Sequence, residues 1–208
     1  MAQGAVPDPS DQEDSRPRLV VVRHGATEWS TSGRHTSRTD LALLAEGRLQ
    51  AVELGRRLAR LSFARVLTSP LLRARETCEI AGFGPQAEVC QDLREWDYGA
   101  YEGRTTEDIR AERPGWSLWR DGVPGGETAQ DVGRRADRVI QAVRDGTGDV
   151  LAFAHAHVLR VVAARWVALG AAGGALFTLS PATISVLGWE RDDAVVTRWN
   201  DAAGDVLG

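Results

Sequence analysis

Short apolar runs alternate along the chain with longer stretches in which apolar residues recur at the spacing of an amphipathic helix. The apolar runs, which predict strands, lie at residues 19–22, 64–68, 87–93, 149–154, 183–189 and 194–199. The amphipathic stretches, which predict helices, lie at residues 44–61, 105–112, 127–144 and 158–169. A further helix is predicted to open at Ser69 and Pro70, as its N-cap and first helical residue. Residues 114–126 are rich in Gly, Pro and Trp and are predicted to form a loop.

This order of elements predicts the fold class. Strands that alternate with helices of about ten residues or more are typical of an α/β fold. We therefore expect three layers, α/β/α, with a mostly parallel central sheet. The sequence shows no repeat and no second domain, so we expect one domain at residues 18–208 after an acidic, disordered segment at residues 1–17.

Polar side chains follow three of the predicted strands at the point where each strand ends. Arg23 and His24 follow the first strand, Ser69 follows the second, and His155 follows the strand at residues 149–154. Ligands of open α/β sheets bind outside the carboxyl ends of the strands. The topology alone therefore predicts that these side chains share one ligand site.

Composition narrows the class of protein. The chain of 208 residues carries a net charge of −4, which argues against a nucleic-acid or anionic-membrane partner. No apolar run approaches the ~18 residues of a membrane span. Cys78 and Cys90 form neither a disulfide framework nor a metal pattern, so we expect reduced thiols and a cytoplasmic protein. Monomer and homo-oligomer both stay open.

The basic residues suggest what the site binds. Arg23 adjoins His24, and Arg73 and Arg75 lie in the first turns of the helix predicted from Pro70. Guanidinium groups bind phosphate oxygens in pairs and stay charged at any working pH. An imidazole among guanidiniums and a helix N-terminus is expected to be neutral and to meet a phosphate dianion.

His155 and His157 allow a metal interpretation, because two histidines at this spacing on an extended strand share one face. Zinc needs further ligands, and no Cys, His or Asp cluster of suitable spacing is present in the sequence. We therefore expect no metal.

Four sequence blocks resemble one family. The blocks VVRHGATEWS, SPLLRARETC, LREWDYGAYEG and FAHAH resemble, in order and position, the histidine phosphatase superfamily of phosphoglycerate mutase-like proteins. The likeness runs from about residue 19 to residue 200. Within the superfamily, the chain is most similar to a branch of broad-specificity acid phosphatases and sedoheptulose-1,7-bisphosphatases. The resemblance implies a phosphoglycerate mutase-like fold and no cofactor.

The resemblance also implies catalytic roles. His24 is the nucleophile that forms a phosphohistidine, and Arg23 and Arg73 clamp the phosphoryl oxygens. His155 adds a donor to the equatorial oxygens. Glu95 protonates the leaving alkoxide and then takes a proton from the attacking water. No metal is needed, because the arginines supply the positive charge.

Further residues match secondary positions of the family. Ser30 and Thr36 match small polar phosphate contacts, and Arg160 matches a position near a second phosphate in the bisphosphatases. Tyr98 and Trp119 are candidate substrate contacts, since aromatic side chains often line small-ligand sites. Most of the loop aromatics, which are Trp96, Tyr98, Trp116 and Trp119, are expected to form a loop core.

The sequence departs from the family pattern at four positions, which are Ala26, Ser30, Ser37 and Ala156. Ala156 stands where glycine is usual, and alanine restricts the backbone angles. Gly25, in contrast, is retained and is expected to let the backbone approach the phosphate. Because the larger catalytic groups are all present, we expect an active enzyme.

The sequence thus predicts a metal-independent phosphomonoesterase that hydrolyses small phosphorylated metabolites, notably sugar phosphates. Phosphoryl transfer of the phosphoglycerate mutase type and a non-catalytic phospho-ligand binding module are the alternatives. The short segment after Glu95 favours the phosphatase over a mutase.

Arg134, Arg135 and Arg138 are interpreted as a solvated helix face.

Overall fold

A six-stranded sheet forms the centre of the computed structural model, which describes residues 16–202. The strands are β1 (Leu19–Arg23), β2 (Arg65–Thr68), β3 (Ala87–Val89), β4 (Val150–Ala154), β5 (Ile184–Glu190) and β6 (Asp193–Asp201). Their order is β3-β2-β4-β1-β5-β6. The first four strands in this order are parallel, and β5 and β6 add an antiparallel edge. The predicted mostly parallel sheet is confirmed.

Seven α-helices connect and cover the strands of the described region. They are α1 (Glu28–Ser32), α2 (Ala45–Leu58), α3 (Leu72–Ile80), α4 (Thr106–Glu112), α5 (Leu118–Asp121), α6 (Ala129–Arg144) and α7 (Ala156–Trp166). Short 3-10 helices lie at Gly84–Gln86, Gln91–Leu93, Gly99–Tyr101 and Ala171–Leu176. None of the helices within residues 16–202 is long and apolar enough to cross a lipid bilayer.

Strand β1 shows why the fold has three layers. Its alternate residues point to opposite faces of the sheet. Leu19 and Val21 pack into one buried cluster, together with apolar residues of α6 and α7. Val20 and Val22 pack into a second cluster, together with residues of α2 and α3. Both faces of the sheet are therefore covered by helices, as expected for a parallel sheet.

Capping explains several helix starts. Thr105 and Thr128 each accept a hydrogen bond from the backbone of the third helical residue, and an aspartate side chain at that residue accepts one in return. This capping box satisfies two N–H groups that a helix otherwise leaves unpaired. The predicted capping role of Thr105 is confirmed, and α6 begins after Thr128 for the same reason.

Two predictions of local structure are wrong. Helix α3 begins at Leu72 with no side-chain cap, rather than at Pro70 with a Ser69 cap. The Ser69 hydroxyl lies instead 2.7 Å from His155 Nε2. The predicted loop at residues 114–126 contains the short helix α5.

The expected disordered segment at residues 1–17 lies largely outside the described residues, which begin at Arg16. The Arg16 guanidinium lies 4.8 Å from the ring centre of Trp189. Trp189 Nε1 donates a hydrogen bond to the Pro17 carbonyl at 3.0 Å. These two residues therefore contact the C-terminal end of β5.

Candidate active site

The carboxyl ends of β1, β2 and β4 bring together the polar residues that follow them. The His24 amide donates to Ala154 O at 3.0 Å, and the Ser69 amide donates to Phe153 O at 2.9 Å. The ring centres of His24 and His155 are 5.2 Å apart. The convergence predicted from topology is therefore present in the structure.

His24 is held in one tautomer. Its Nδ1 lies 2.8 Å from the Gly25 carbonyl oxygen, which can only accept, so the proton of the neutral ring is on Nδ1. The lone pair is then on Nε2. Burial, assisted by the charges of Arg73 and Arg23, holds the pKa of His24 well below its usual range. His24 is therefore a neutral imidazole with a free Nε2, which is the form a nucleophile requires.

Gly25 has a packing role in the structure, and its expected approach to the phosphate stays a prediction. A Cβ on Gly25 would lie 2.4 Å from the carbonyl oxygen of Gly47 in α2. A Cβ on Gly47 would in turn lie 2.3 Å from the Ala26 carbonyl oxygen. The two glycines let α2 pack directly against the chain that follows β1, which fixes the position of His24.

Two guanidinium groups lie beside the histidines. Arg23 donates through Nη1 to Leu179 O, and burial lowers its pKa to about 10, so it stays charged near neutral pH. Arg73 is only 1% exposed and donates to Thr36 O and Thr39 O at 3.0 and 3.3 Å. The Nε groups of both arginines are buried and have no hydrogen-bond partner among the described residues. These N–H groups are suited to an oxyanion.

His155 is fully buried next to Ser69. Its Nε2 lies 2.7 Å from the Ser69 hydroxyl, and its Nδ1 has no partner within the described residues. Burial, with the charge of Arg73 as the next cause, holds the pKa of His155 well below its usual range. A neutral ring that accepts the Ser69 proton at Nε2 carries its own proton on Nδ1 and presents it as a donor.

Glu95 reaches the site from an irregular segment and is only 6% exposed. Its Oε1 accepts from the Trp96 and Val158 amides at 2.8 and 2.9 Å, and its Oε2 accepts from the His157 amide at 3.0 Å. Two of these three donors belong to the first turn of α7. The helix N-terminus in the site is therefore that of α7, rather than the one predicted after Ser69, and it holds the carboxylate of Glu95.

Helix α7 begins two residues earlier than predicted, and this changes two interpretations. His157 lies in its first turn, so His155 and His157 do not share the face of a strand. Ala156 is the first helical residue and has no positive φ, so alanine fits there without strain. Within residues 16–202, no three His, Cys, Asp or Glu side chains are grouped so that they could hold a metal ion.

A cavity of about 250 Å³ opens in front of His24. Seven of the predicted site residues line its wall, and they are Arg23, His24, Ser30, Thr36, Glu95, Tyr98 and Arg160. Arg73 and His155 lie directly behind this wall, where they contact Thr36 and His24. The volume suits a small phosphorylated metabolite.

The family model of the histidine phosphatase superfamily (branch 1) matches residues 19–202. The chain belongs to this superfamily. It is 41% identical over 178 residues to an acid phosphatase of Mycobacterium tuberculosis, across 84% of this chain and 87% of the relative. It is 38% identical over 188 residues to a sedoheptulose 1,7-bisphosphatase of Saccharomyces cerevisiae, across 74% of this chain and 69% of the relative.

A solved structure, that of the open reading frame Rv3214 from Mycobacterium tuberculosis, superposes with a TM-score of 0.84 at 38% identity. The match covers 89% of this chain and 97% of that chain. The family, the fold and the class of enzyme predicted from the four sequence blocks, a histidine phosphatase, are therefore confirmed.

The two small polar residues of the histidine phosphatase site also have structural roles. The Ser30 hydroxyl donates to Thr27 O at 3.0 Å and accepts from the Thr27 amide at 2.8 Å, which caps α1. The Thr36 hydroxyl donates to Arg34 O at 3.1 Å, and the Thr36 carbonyl accepts from Arg73. Both residues line the cavity, and their predicted contact with phosphate stays a prediction.

Trp119 lies one layer behind the cavity wall. Its ring centre is 4.6 Å from the Arg160 guanidinium carbon and 5.4 Å from the His157 ring. Arg160 also donates through Nε to Gly174 O at 3.0 Å. Trp119 lines a neighbouring cavity instead of this one, so it supports Arg160 and does not face the same space.

The structure adds polar residues that the sequence did not assign to the site. His35 lines the cavity, and its ring centre is 4.7 Å from that of Tyr98. The Tyr98 hydroxyl lies 2.6 Å from His157 Nδ1. Burial lowers the pKa of His35 to about 4 and, with the charge of Arg160, holds that of His157 well below its usual range. This part of the wall is therefore polar and uncharged near neutral pH.

The interpretation of Arg135 as a solvated residue is wrong. Arg134 and Arg138 are exposed, but Arg135 is only 4% exposed. Its position in α6 explains this, because it follows the buried Val132 by three residues and precedes the buried Val139 by four. The helical spacing in the sequence contains this signal, and the charge of the side chain obscured it.

Proposed function

We propose that the protein is a metal-independent phosphomonoesterase that hydrolyses small sugar phosphates through a phosphohistidine on His24. The observation that supports this proposal most directly is the tautomer of His24, whose Nδ1 donates to the Gly25 carbonyl and leaves Nε2 free. Arg23 and Arg73 stand beside it with buried N–H groups that have no acceptor within residues 16–202.

In the first step, His24 Nε2 attacks phosphorus in line with the ester bond. The Nε2–P bond forms as the P–O bond to the leaving group breaks, and the leaving oxygen takes the proton of the Glu95 carboxyl group. Arg23, Arg73 and the Nδ1–H of His155 stabilise the charge on the equatorial oxygens. The products of this step are an alcohol, a phosphohistidine and the Glu95 carboxylate.

In the second step, water attacks the phosphohistidine. Glu95 takes one proton from the water as the new P–O bond forms and the Nε2–P bond breaks. Inorganic phosphate leaves, His24 regains its neutral ring, and Glu95 again holds the proton that the next cycle needs. The backbone donors of α7 keep the carboxyl group in place through both steps.

The cavity supports a polyol phosphate as the substrate. Uncharged polar groups of His35, Tyr98 and His157 suit hydroxyl groups, and Arg160 adds a single positive charge. The name of the sedoheptulose 1,7-bisphosphatase relative points to the same class of compound. The free thiols of Cys78 and Cys90 fit a reducing compartment, so we place the enzyme in the cytoplasm.

A panel of phosphate esters tests the function, with inorganic phosphate release as the readout and 3-phosphoglycerate isomerisation measured alongside. We expect phosphate release from sugar phosphates at a rate that EDTA leaves unchanged. Isomerisation without phosphate release would show a mutase, and no reaction with any ester would favour a binding module. A rate lost on EDTA treatment and restored by zinc would contradict the metal-independent mechanism.

A further inference from the structure

Arg135 uses its whole guanidinium group to hold the segment that carries Glu95. Its Nη1 donates to Asp92 O at 2.7 Å and to Arg94 O at 2.6 Å, and its Nη2 donates to Glu95 O at 3.1 Å. Its Nε and Nη2 donate to the two carboxylate oxygens of Glu127, both at 2.8 Å. All five N–H groups of the side chain are thereby used.

Glu127 binds the two residues that follow Glu95 in the same segment. Its Oε2 accepts from the Asp97 amide at 2.9 Å, and its own amide donates to Asp97 O at 2.9 Å. Its carbonyl accepts from Trp96 Nε1 at 2.8 Å. Arg135 and Glu127 therefore fix the backbone on both sides of Glu95.

This arrangement fixes both the side chain and the backbone of Glu95. The amides of α7 hold its carboxylate, and Arg135 in α6 holds its backbone carbonyl. Three carbonyl groups converge on one guanidinium, which requires a planar set of donors that lysine does not provide. Because the Arg135 side chain is buried and that of Glu127 is only 24% exposed, this ion pair restricts the motion of the segment more than a surface pair does.

We infer that Arg135, paired with Glu127, is a positioning residue that holds Glu95 at the distance needed for proton transfer to the leaving group. The inference rests on the proposed phosphatase function and on the role of Glu95 in it. A general acid contributes about 10²–10⁴-fold to a rate, and a displacement of about 1 Å can remove ~10²-fold.

The test compares two substrates of similar shape. Phenyl phosphate has a poor leaving group that needs a proton, whereas 2,4-dinitrophenyl phosphate has a leaving group that does not. The value of kcat/KM reports the steps up to phosphoenzyme formation. For Arg135→Met we expect kcat/KM to fall about 10–100-fold on phenyl phosphate, but by no more than about threefold on 2,4-dinitrophenyl phosphate, whose leaving group gains little from an acid.

Two further variants refine the test. Arg135→Lys keeps the charge and loses the planar fork, so we expect a smaller loss with the same dependence on the leaving group. Glu127→Gln keeps the shape of the side chain and removes its charge, and it decides the question if Arg135→Met does not fold. Thermal unfolding of each variant establishes that the fold is retained.

Arg134→Met is the matched control, because Arg134 is a neighbouring arginine of α6 that is exposed. Glu95→Gln is the reference for loss of the acid. An equal loss on both esters in the Arg135 and Glu127 variants, or no loss on either, would overturn the inference while the phosphatase stands. Absence of turnover in the wild-type enzyme, or unchanged turnover in Glu95→Gln, would instead count against the proposed function.

Discussion

Two regions of the molecule build the active site in different ways. The strand-end region consists of the last residue of β1 and the residues that follow β1, β2 and β4, and it supplies Arg23, His24, Arg73 and His155. The inserted segment consists of residues 94–128, between the 3-10 helix Gln91–Leu93 and α6, and it supplies Glu95 and Tyr98. In the proposed mechanism, the first region binds and attacks phosphorus, whereas the second transfers the proton and contacts the organic part of the substrate.

The positions of the two regions have different physical causes. Residues at strand ends are fixed by the hydrogen bonds of the parallel sheet, such as that from the His24 amide to Ala154 O. Residues of the inserted segment are fixed by side chains and helix ends, such as Arg135 and the N-terminus of α7. In the proposed mechanism, phosphoryl binding therefore depends on the sheet, and proton transfer depends on tertiary contacts around the segment.

Replacing the nucleophile gives the largest expected effect and affects the strand-end region alone. For His24→Ala we expect the rate to fall by ~10⁴-fold or more, because the variant lacks the Nε2 atom that attacks phosphorus in the proposed mechanism. Phosphate release measures the loss. Trapping of an acid-labile phosphoenzyme measures the intermediate, which this variant should not form.

The fold should survive this change, and thermal unfolding serves as its control. If His24→Ala kept a rate near that of the wild type, the phosphohistidine mechanism would be wrong. A group other than His24 would then attack phosphorus, and phosphoryl attack could no longer be assigned to the strand-end region.

A glycine of the inserted segment provides the next test. Gly99 has a φ of +49°, and a Cβ there would lie 2.3 Å from Pro124 O, so Gly99→Ala must move the segment. We expect kcat/KM on phenyl phosphate to fall by ~10²-fold through displacement of Glu95. On 2,4-dinitrophenyl phosphate we expect a fall of only about a few fold, since little proton transfer is needed.

Gly115→Ala is the matched control for Gly99→Ala. Gly115 also has a positive φ, of +76°, but a Cβ there would have no neighbour within 4 Å. It should therefore cost about 1 kcal/mol of stability and leave the preference between the two esters unchanged. A loss of equal size on both esters in Gly99→Ala would mean that the two regions do not act separately.

The sequence predicted the strand-end region far better than the inserted segment. Alternating apolar runs locate β1 and β4, and the topology of a parallel sheet then places His24 and His155 at the same edge. The resemblance added Glu95, but nothing local in its sequence indicates that α7 holds its carboxylate. That contact joins residues 62 and 63 positions apart in the chain.

The errors at Ser69 and at Arg135 have a common cause. Ser69 has the sequence features of an N-cap, but its hydroxyl lies next to His155, which follows a different strand. Arg135 has the charge of a surface residue, but carbonyl groups of the segment at residues 92–95 bind it inside the protein. In both cases a partner distant in sequence decides the role of the side chain, and local propensity does not contain that information.

The smallest expected effect concerns the contact between the two regions, where His35 packs against Tyr98 and its amide donates to Arg104 O at 2.9 Å. Burial lowers the pKa of His35 to about 4, against about 6.5 in an unfolded chain. Between these pH values the unfolded chain binds a proton that the folded protein does not, so stability falls as the pH falls from 6.5 towards 4. At pH 5 this one group lowers the free energy of unfolding by about 2 kcal/mol.

His35→Gln removes the titrating group and keeps a polar side chain near Thr106. Between pH 7 and pH 5, the free energy of unfolding of the variant should therefore fall by about 2 kcal/mol less than that of the wild type. Urea unfolding at both pH values measures the difference. Parallel pH dependences would mean that His35 takes up its proton in the folded state as readily as in the unfolded chain. The contact between the strand-end region and the inserted segment would then admit water, and proton transfer by Glu95 would not be shielded from solvent on that side.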